Sequence, residues 1–232
     1  MDCFCKDDPA AQDFKDRPPV RREVRSSRDV IHAVRQEAEW PLARTEYRRL
    51  YLNGSALQTD AAPSPAELSY SAKRGKTCCR YVFTGDTELS GYMKLRLWVE
   101  ARAGSAADSA PDDMAIFAAV SKLDVAGQTV HFYGSVGSDR DLVTRGCLRV
   151  SRRELDPEQS TEFHPVLSGT SEQKLAPGEI VPVDIELYPS ATFFAAGESI
   201  ELILSANEII PSPPYRRLVD YNRGVHVIHY GG

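Results

Sequence analysis

The sequence lacks the features that mark membrane-spanning and secreted proteins. No apolar run approaches the roughly 18 residues that suggest a membrane-spanning helix. The first residues, MDCFCKDDPAAQDF, contain no basic segment followed by an apolar one, so no secretory signal is recognisable. The net charge of −5 offers no electrostatic attraction for nucleic acid or for an anionic membrane surface. These absences predict a cytoplasmic protein with neither nucleic acid nor membrane among its partners.

The sequence is also poor in cysteine, and its five cysteines lack the spacing of a zinc site. Cys78 and Cys79 are adjacent, Cys3 and Cys5 are separated by one residue, and Cys147 stands alone. No Cys-x2-Cys pair recurs, and an odd count does not suit a disulfide framework. The pattern predicts reduced thiols, and we expect no metal and no cofactor.

Motifs that carry catalysis are missing as well. A serine hydrolase holds its nucleophile in Gly-x-Ser-x-Gly on a turn between strand and helix. The nearest similar stretch is YGSVG, in which Ser135 follows a predicted strand and the glycine spacing is wrong. His226 and His229 lie three residues apart on a predicted strand and would face opposite sides, a poor geometry for a metal site. The sequence therefore predicts no catalytic residue.

What the sequence does contain is a series of strands with an alternating pattern. In ELSGYMKLRLWVEARAG, apolar residues alternate with charged residues and with Trp98, and EIVPVDIELYP alternates in the same way. TEYRRLYLNG predicts a strand that ends in a hairpin turn at Asn53-Gly54. MAIFAAVSKLD and VAGQTVHFYGS predict two strands joined near Gly127. About eight to ten strands with Gly and Pro turns and no long helix indicate an all-β fold, an antiparallel β-sandwich or jelly roll.

The segment DVIHAVRQEAEW, from Asp29 to Trp40, fits two structures. Asp29 could cap a short helix that ends before Pro41. Val30, His32 and Val34 also recur with period two, which is typical of a strand. We favour the strand or an extended chain.

An ordered series of segments resembles a known family. It runs RDVIHAVRQEAEWPLARTEYRRLYL, ELSGYMKLRLWVEA, DDMAIFAAVSKLDVAG, GCLRVSRRELD, LAPGEIVPVDIELYPSATFFAAGESIELIL and RGVHVIHYGG. From about Pro18 onward it is similar to the C-terminal domain of the Xaa-Pro dipeptidyl-peptidase, cocaine esterase and glutaryl acylase (CocE/NonD) hydrolases. One departure is Ala115, where the family usually has an acidic residue directly after the methionine.

The resemblance implies a galactose-binding-like jelly roll that covers an α/β-hydrolase domain and helps to wall its substrate cleft. Family members carry a Ser-Asp-His triad on the hydrolase domain, so no position here can take over the nucleophile, acid or base. The resemblance implies a partner, either an α/β-hydrolase catalytic domain or a homologous subunit. It also divides the chain into a remnant or linker over residues 1–36 and a jelly roll over residues 37–232.

Candidate interface residues follow from this division. The junction contributes three aromatic residues, the loop before the methionine contributes its acidic pair, and one tryptophan lies on the solvent side of a predicted strand. The candidates are Trp40, Tyr47, Tyr51, Trp98, Asp112, Asp113 and Met114.

Two other interpretations stay open. Jelly rolls use exposed aromatic residues to bind sugars, so the chain could be a free-standing carbohydrate- or protein-binding module. The aromatic candidates for such a site are Trp40, Tyr92, Trp98, Tyr133 and Tyr188. The chain could also be a shortened relative, a truncated fragment without an independent function.

Overall fold

Two β-sheets face each other across one apolar core. The computed structural model describes residues 17–134, 137–210 and 221–231. In spatial order, the six-stranded sheet consists of β2 (Ile31–Glu37), β1 (Val20–Arg25), β11 (Val181–Phe194), β7 (Thr87–Arg102), β13 (Val225–Tyr230) and β5 (Ala66–Ser71). The seven-stranded sheet consists of β10 (Thr144–Arg149), β8 (Ala115–Leu123), β12 (Ser199–Ser205), β6 (Lys76–Val82), β4 (Ala56–Gln58) and β3 (Tyr51–Asn53), with the short β9 (Thr129–Val130) paired to β8.

The long antiparallel pair of β7 and β11 forms the centre of the six-stranded sheet. Leu97 lies opposite Val183, and Leu95 lies opposite Ile185. Both strands were predicted from their alternation, and the structure confirms which residues face inward. The apolar core between the sheets includes Leu97, Val99, Ile116, Ala118, Val120, Val183, Ile185, Leu187, Leu202, Leu204 and Ile228. The all-β sandwich predicted from the sequence is therefore confirmed.

Two predicted turns are also present. β3 and β4 form a hairpin around Gly54, whose φ of 58° is readily adopted by glycine because it has no Cβ. β8 and β9 are joined by a turn in which the Asp124 carboxylate accepts hydrogen bonds from the backbone N–H groups of Ala126 and Gln128. β9 is shorter than the predicted strand, because its pairing with β8 covers only Thr129 and Val130.

Both sheets are mixed rather than purely antiparallel. β1 pairs with β11 in parallel through Arg25 and Thr192, and β4 pairs with β6 in parallel through Ala56 and Arg80. All other pairings between named strands of the described chain are antiparallel. Each parallel contact involves a single register pair, so it adds little to the ladder.

The sandwich begins earlier in the chain than the predicted boundary at residue 37. β1 and β2 form an antiparallel pair in which Val20 lies opposite Glu37, and they belong to the six-stranded sheet. The strand favoured over a helix after Asp29 is therefore present as β2. From the sequence alone β1 is left outside the sandwich, because the short, charged sequence of this strand does not indicate that Val24 is fully buried in the tertiary structure. Residues 1–16 of the predicted linker lie outside the described part of the chain.

Helical structure in the described residues is limited to a 3-10 turn over Val150–Arg152. A search of the same residues finds no helix with the length and apolar character needed to cross a membrane.

Candidate docking face

The outer face of the six-stranded sheet carries three of the seven predicted interface residues, Trp40, Tyr47 and Trp98. Because Leu97 and Val99 of β7 point into the core, the residues that alternate with them, Arg96, Trp98 and Glu100, point away from it. Trp98 keeps 48% of its surface exposed in the middle of the sheet. A large aromatic side chain on a rigid strand, outside the core, is the type of residue that anchors protein interfaces.

An aromatic cluster covers one part of this face. Trp40 contacts Tyr92 of β7 with ring centroids 6.1 Å apart, and the His164 ring stacks on Tyr92 at 4.4 Å. His164 Nε2 also lies 3.1 Å from the Glu186 carboxylate of β11. The tryptophan predicted at the domain junction therefore packs against the sheet of its own domain.

A second pair of stacked rings extends this aromatic cluster. The Tyr47 and Phe163 rings are parallel, with centroids 3.4 Å apart, and Arg49 forms an ion pair with Glu162 at 3.3 Å. The segment after Trp40 and the loop around His164 are thus held together over the outer face. Tyr47 remains partly exposed at the edge of this cover.

Ion pairs fix the strand surface next to Trp98. The Arg96 guanidinium donates two hydrogen bonds to the Asp184 carboxylate, at 2.8 and 2.7 Å. Asp184 was predicted to face outward, and it does, but it is buried beneath Arg96 and lies 3.9 Å from Lys94. A two-point contact of this kind holds Arg96 in one orientation, so this part of the face is preorganised.

A second ionic network lies on the other side of Trp98. Arg102 bonds to both Glu100 and Glu67, and His229 Nε2 lies 3.0 Å from Glu100. The hydrogen bond from Arg102 is the largest cause that lowers the pKa of Glu100, while burial acts in the opposite direction. Glu100 therefore stays ionised, and the network frames the exposed indole with fixed charges.

A third network ties β1 and β2 to β7. Arg22 bonds to Glu37 at 3.0 Å and to Glu88 at 2.5 Å, and Arg44 also bonds to Glu37. The hydrogen bond from Arg44 is the largest cause of a pKa of about 2 for Glu37; burial opposes it and Arg22 reinforces it. Buried but fully paired charges of this kind fix geometry more than they add stability.

The structure corrects the prediction for Asp113 and Met114, which are buried inside the domain. Asp113 accepts hydrogen bonds from the Arg149 guanidinium at 2.7 Å and from the Ser151 hydroxyl at 2.8 Å. Burial alone would raise the pKa of Asp113, but the bonds from Arg149 and Ser151 outweigh it and lower the pKa. Asp113 thus attaches the loop before β8 to the end of β10. Asp112, in contrast, is 69% exposed.

Tyr51 lies apart from the other aromatic candidates, because β3 belongs to the seven-stranded sheet. Tyr133 and Tyr188 are both exposed. Phe163, His164 and Glu186 were not predicted as site residues. The loop around His164 has no hydrophobic period, and only its contact with Tyr92 identifies it.

One cleft of about 470 Å³ adjoins the aromatic cluster of Trp40, Tyr92 and His164. It lies between β10 and β11, and its lining includes Cys147, His164, Glu186 and Tyr188. Tyr188 is exposed at its rim. The cleft is large enough for a small polar ligand.

Chemically reactive groups are sparse in the described chain. No group of three or more His, Cys, Asp or Glu side chains there is arranged to hold a metal ion. Cys79 is buried and donates to the Gly54 carbonyl, and burial raises its pKa to about 11. A thiol with this pKa is a poor nucleophile at neutral pH. Ser135 of YGSVG, and also Cys3 and Cys5, lie outside the described residues.

Comparison with known proteins identifies similar structures. A CocE/NonD family hydrolase from Staphylococcus aureus is 35% identical, and two crystal structures of it superpose with TM-scores of 0.90 and 0.91 over 100% of this chain. An aminopeptidase from a marine sediment Thaumarchaeota archaeon is 13% identical, with a TM-score of 0.62 over 99% of this chain and 40% of its own. The latter likeness concerns the fold alone. No curated protein sequence matches.

The chain corresponds to 42% of the length of the S. aureus hydrolase. Residues 12–229 match the PepX_C family, described as the X-Pro dipeptidyl-peptidase C-terminal non-catalytic domain. This match confirms the resemblance found in the sequence. The chain belongs to the PepX_C family of non-catalytic C-terminal domains.

Proposed function

We propose that this chain is the accessory domain of a serine hydrolase that cleaves peptides or esters. In this proposal, it docks on an α/β-hydrolase catalytic domain and forms part of the wall of the substrate cleft. The main observation in favour of this proposal is that the entire chain matches, at 35% identity, less than half of a CocE/NonD hydrolase. The remaining part of such a protein is the natural place for the catalytic residues.

The outer face of the six-stranded sheet suits this role. Trp98 supplies an apolar anchor, and the paired charges of Arg96 and Glu100 beside it are already oriented before a partner arrives. An interface of this type, an aromatic centre within a polar rim, is common between proteins. Trp40 and Tyr47 belong to the same face, and we expect them to lie at the edge of the contact.

A domain-replacement chimera tests the proposal. The full chain replaces the matched 42% of the S. aureus hydrolase. We expect the chimera to fold and to hydrolyse a chromogenic short-chain ester, whereas the S. aureus protein without that part should be unstable or inactive. A soluble chimera with no turnover, beside an active native S. aureus enzyme, would contradict the proposal.

The chain alone provides the complementary test. Incubation with a serine-directed fluorophosphonate, followed by intact mass measurement, should give no adduct, and no ester should be turned over. Turnover together with a single adduct would show that the sandwich carries an active site of its own.

The cleft beside Tyr188 favours a second candidate function, the binding of a small carbohydrate. An exposed phenol ring could stack on a sugar face, and Glu186 and Gln159 could accept or donate hydrogen bonds to its hydroxyl groups. A glycan array with the purified chain tests this function. Binding that is lost in Tyr188→Ala would support it, and an array without any binding would remove it.

A further inference from the structure

We propose that the β1–β2 ribbon, residues 20–37, is a docking element that the catalytic domain of the hydrolase covers. This inference rests on the function proposed above and names the part of the chain that makes the contact. The ribbon consists of β1, β2 and the turn between them, and it forms one end of the six-stranded sheet.

β2 is a strand that the described part of its own domain leaves uncovered. Apart from Glu37 and the half-buried Ala33, every residue of β2 is exposed, so side chains on both faces reach solvent. In the described chain β2 pairs only with β1, so its other edge has unpaired backbone N–H and C=O groups. An open edge of this kind readily pairs with another chain.

Three of the exposed side chains of this region are large and apolar, although a free edge is normally charged. Val30, Ile31 and Val34 are 52%, 43% and 49% exposed. Natural proteins protect free edge strands with lysine, proline or inward-pointing charges. β2 contains neither lysine nor proline, and its exposed charged residue is Arg35, which is paired with Glu88 at 2.7 Å.

The ribbon is nevertheless held in a fixed position. The buried Lys122 donates a hydrogen bond to the Ser26 carbonyl at 2.9 Å, and His32 stacks on Phe193 at 3.7 Å. At the opposite end, Arg22 joins β1 to Glu88 of β7. A bare but rigid surface is prepared for a partner, because little conformational entropy is lost when the partner binds.

The position of the ribbon identifies the occupant. The matched family is a C-terminal domain, so in its proteins the catalytic part joins ahead of β1. The chain enters β1 at Val20, which lies directly opposite Glu37 at the end of β2. A catalytic domain that joins ahead of β1 is therefore tethered near this end of the ribbon. The occupant is therefore the catalytic domain rather than a second copy of this chain.

A matched pair of variants tests this inference in the chimera described above. Val34→Lys places a charge on β2, opposite Glu23 of β1, where the isolated chain can tolerate it. Val82→Lys is the control, because Val82 is also a strand valine, is 55% exposed and lies on β6 of the other sheet. Both variants of the isolated chain should melt at the temperature of the native chain.

In the chimera, we expect V34K to lower ester hydrolysis by about tenfold or more and V82K to leave it unchanged. If the unsubstituted chimera is active and V34K and V82K change its ester hydrolysis to the same extent, the ribbon is not the contact. The proposed function would still stand. An inactive native chimera would overturn both proposals. Sedimentation of the isolated chain as a dimer that V34K dissociates would overturn the chosen occupant in favour of a second copy.

Discussion

β8 and β2 show how little the local sequence decides about exposure. All nine residues of β8 are buried, including Ser121 and Lys122, whereas β2 buries only Glu37. β8 pairs with strands on both sides, β10 and β12, and β2 ends the sheet. Lys122 is buried because its ammonium group has hydrogen-bond and ion-pair partners, whereas the exposed Ile31 and Val34 of β2 leave an apolar surface that a partner can cover.

The largest expected effect is on the buried side of this comparison. Lys122 Nζ lies 2.8 Å from the Phe193 carbonyl, 2.9 Å from the Ser26 carbonyl and 2.7 Å from the Glu198 carboxylate. Lys122→Met removes the cation, so the Ser26 and Phe193 carbonyls lose its hydrogen bonds, and the Glu198 carboxylate loses its counter-charge while it keeps the bond from the Ala195 N–H. The free energy of unfolding should fall by about 4 kcal/mol. Urea denaturation measures the loss, with Lys73→Met at an exposed position as the control. Equal midpoints for the two variants would contradict this role.

A pH dependence tests the same buried side. His226 is fully buried, and neither ring nitrogen has a hydrogen-bond partner among the described residues. Burial lowers its pKa from 6.5 to about 4. Below pH 6.5 the unfolded chain takes up a proton that the folded chain does not. Stability should be complete above that pH and should fall by about 3 kcal/mol as the pH approaches 4.

Replacement of that histidine isolates its share of the acid sensitivity. His226→Phe should flatten the fall in unfolding free energy between pH 6.5 and 4, while His32→Phe, at an exposed position of β2, should leave it as it is. If the native chain and H226F lose stability in parallel over this range, the fall has another origin.

Two adjacent acidic residues in the loop before β8 differ in the same way, because Asp113 is buried and Asp112 is exposed. Asp113→Ala breaks the bonds to Arg149 and Ser151 and should cost about 2 kcal/mol of unfolding free energy. Asp112→Ala, at the neighbouring exposed position, should change it by less than about 0.5 kcal/mol. Thermal unfolding of both variants measures these losses. A larger loss for Asp112→Ala than for Asp113→Ala would show that Asp113 is not the buried member of the pair.

A small effect in the isolated chain is expected at the outer face of the six-stranded sheet. Trp98→Ala should change the free energy of unfolding by less than about 1 kcal/mol, because half of the indole is in water. In the chimera, the same substitution should lower the melting temperature by more than it does in the isolated chain. Equal shifts in the two proteins would show that Trp98 only supports its own sheet.

The sequence predicts the centre of the sandwich better than its periphery. Strict alternation in β7 and β11 correctly assigns Leu97 to the core and Trp98 to the outside, because each strand has one face toward solvent and one face toward the apolar core. Alternation does not predict β1, because the burial of Arg22 depends on its ion pairs with Glu37 and Glu88. The burial of Asp113 escapes it as well, because the bonds that hold it come from residues about 36 positions away.

The candidate site is predictable only in part for the same reason. Trp40, Tyr47 and Trp98 do share the outer face of the six-stranded sheet. Their partners Phe163 and His164 come from a loop whose sequence has no period, so nothing local brings them to the face. The exposure of β2 also depends on its place at the end of the sheet rather than on its composition.

Amide hydrogen exchange of β2, compared with that of β8, tests whether a catalytic domain covers the ribbon. β8 should be strongly protected both in the isolated chain and in the chimera with the S. aureus catalytic part. The outer amides of β2 should exchange fast in the isolated chain and become protected in the chimera, because the catalytic domain covers them. Fast exchange of β2 in an active chimera would contradict the account, since the ribbon would then have no partner there.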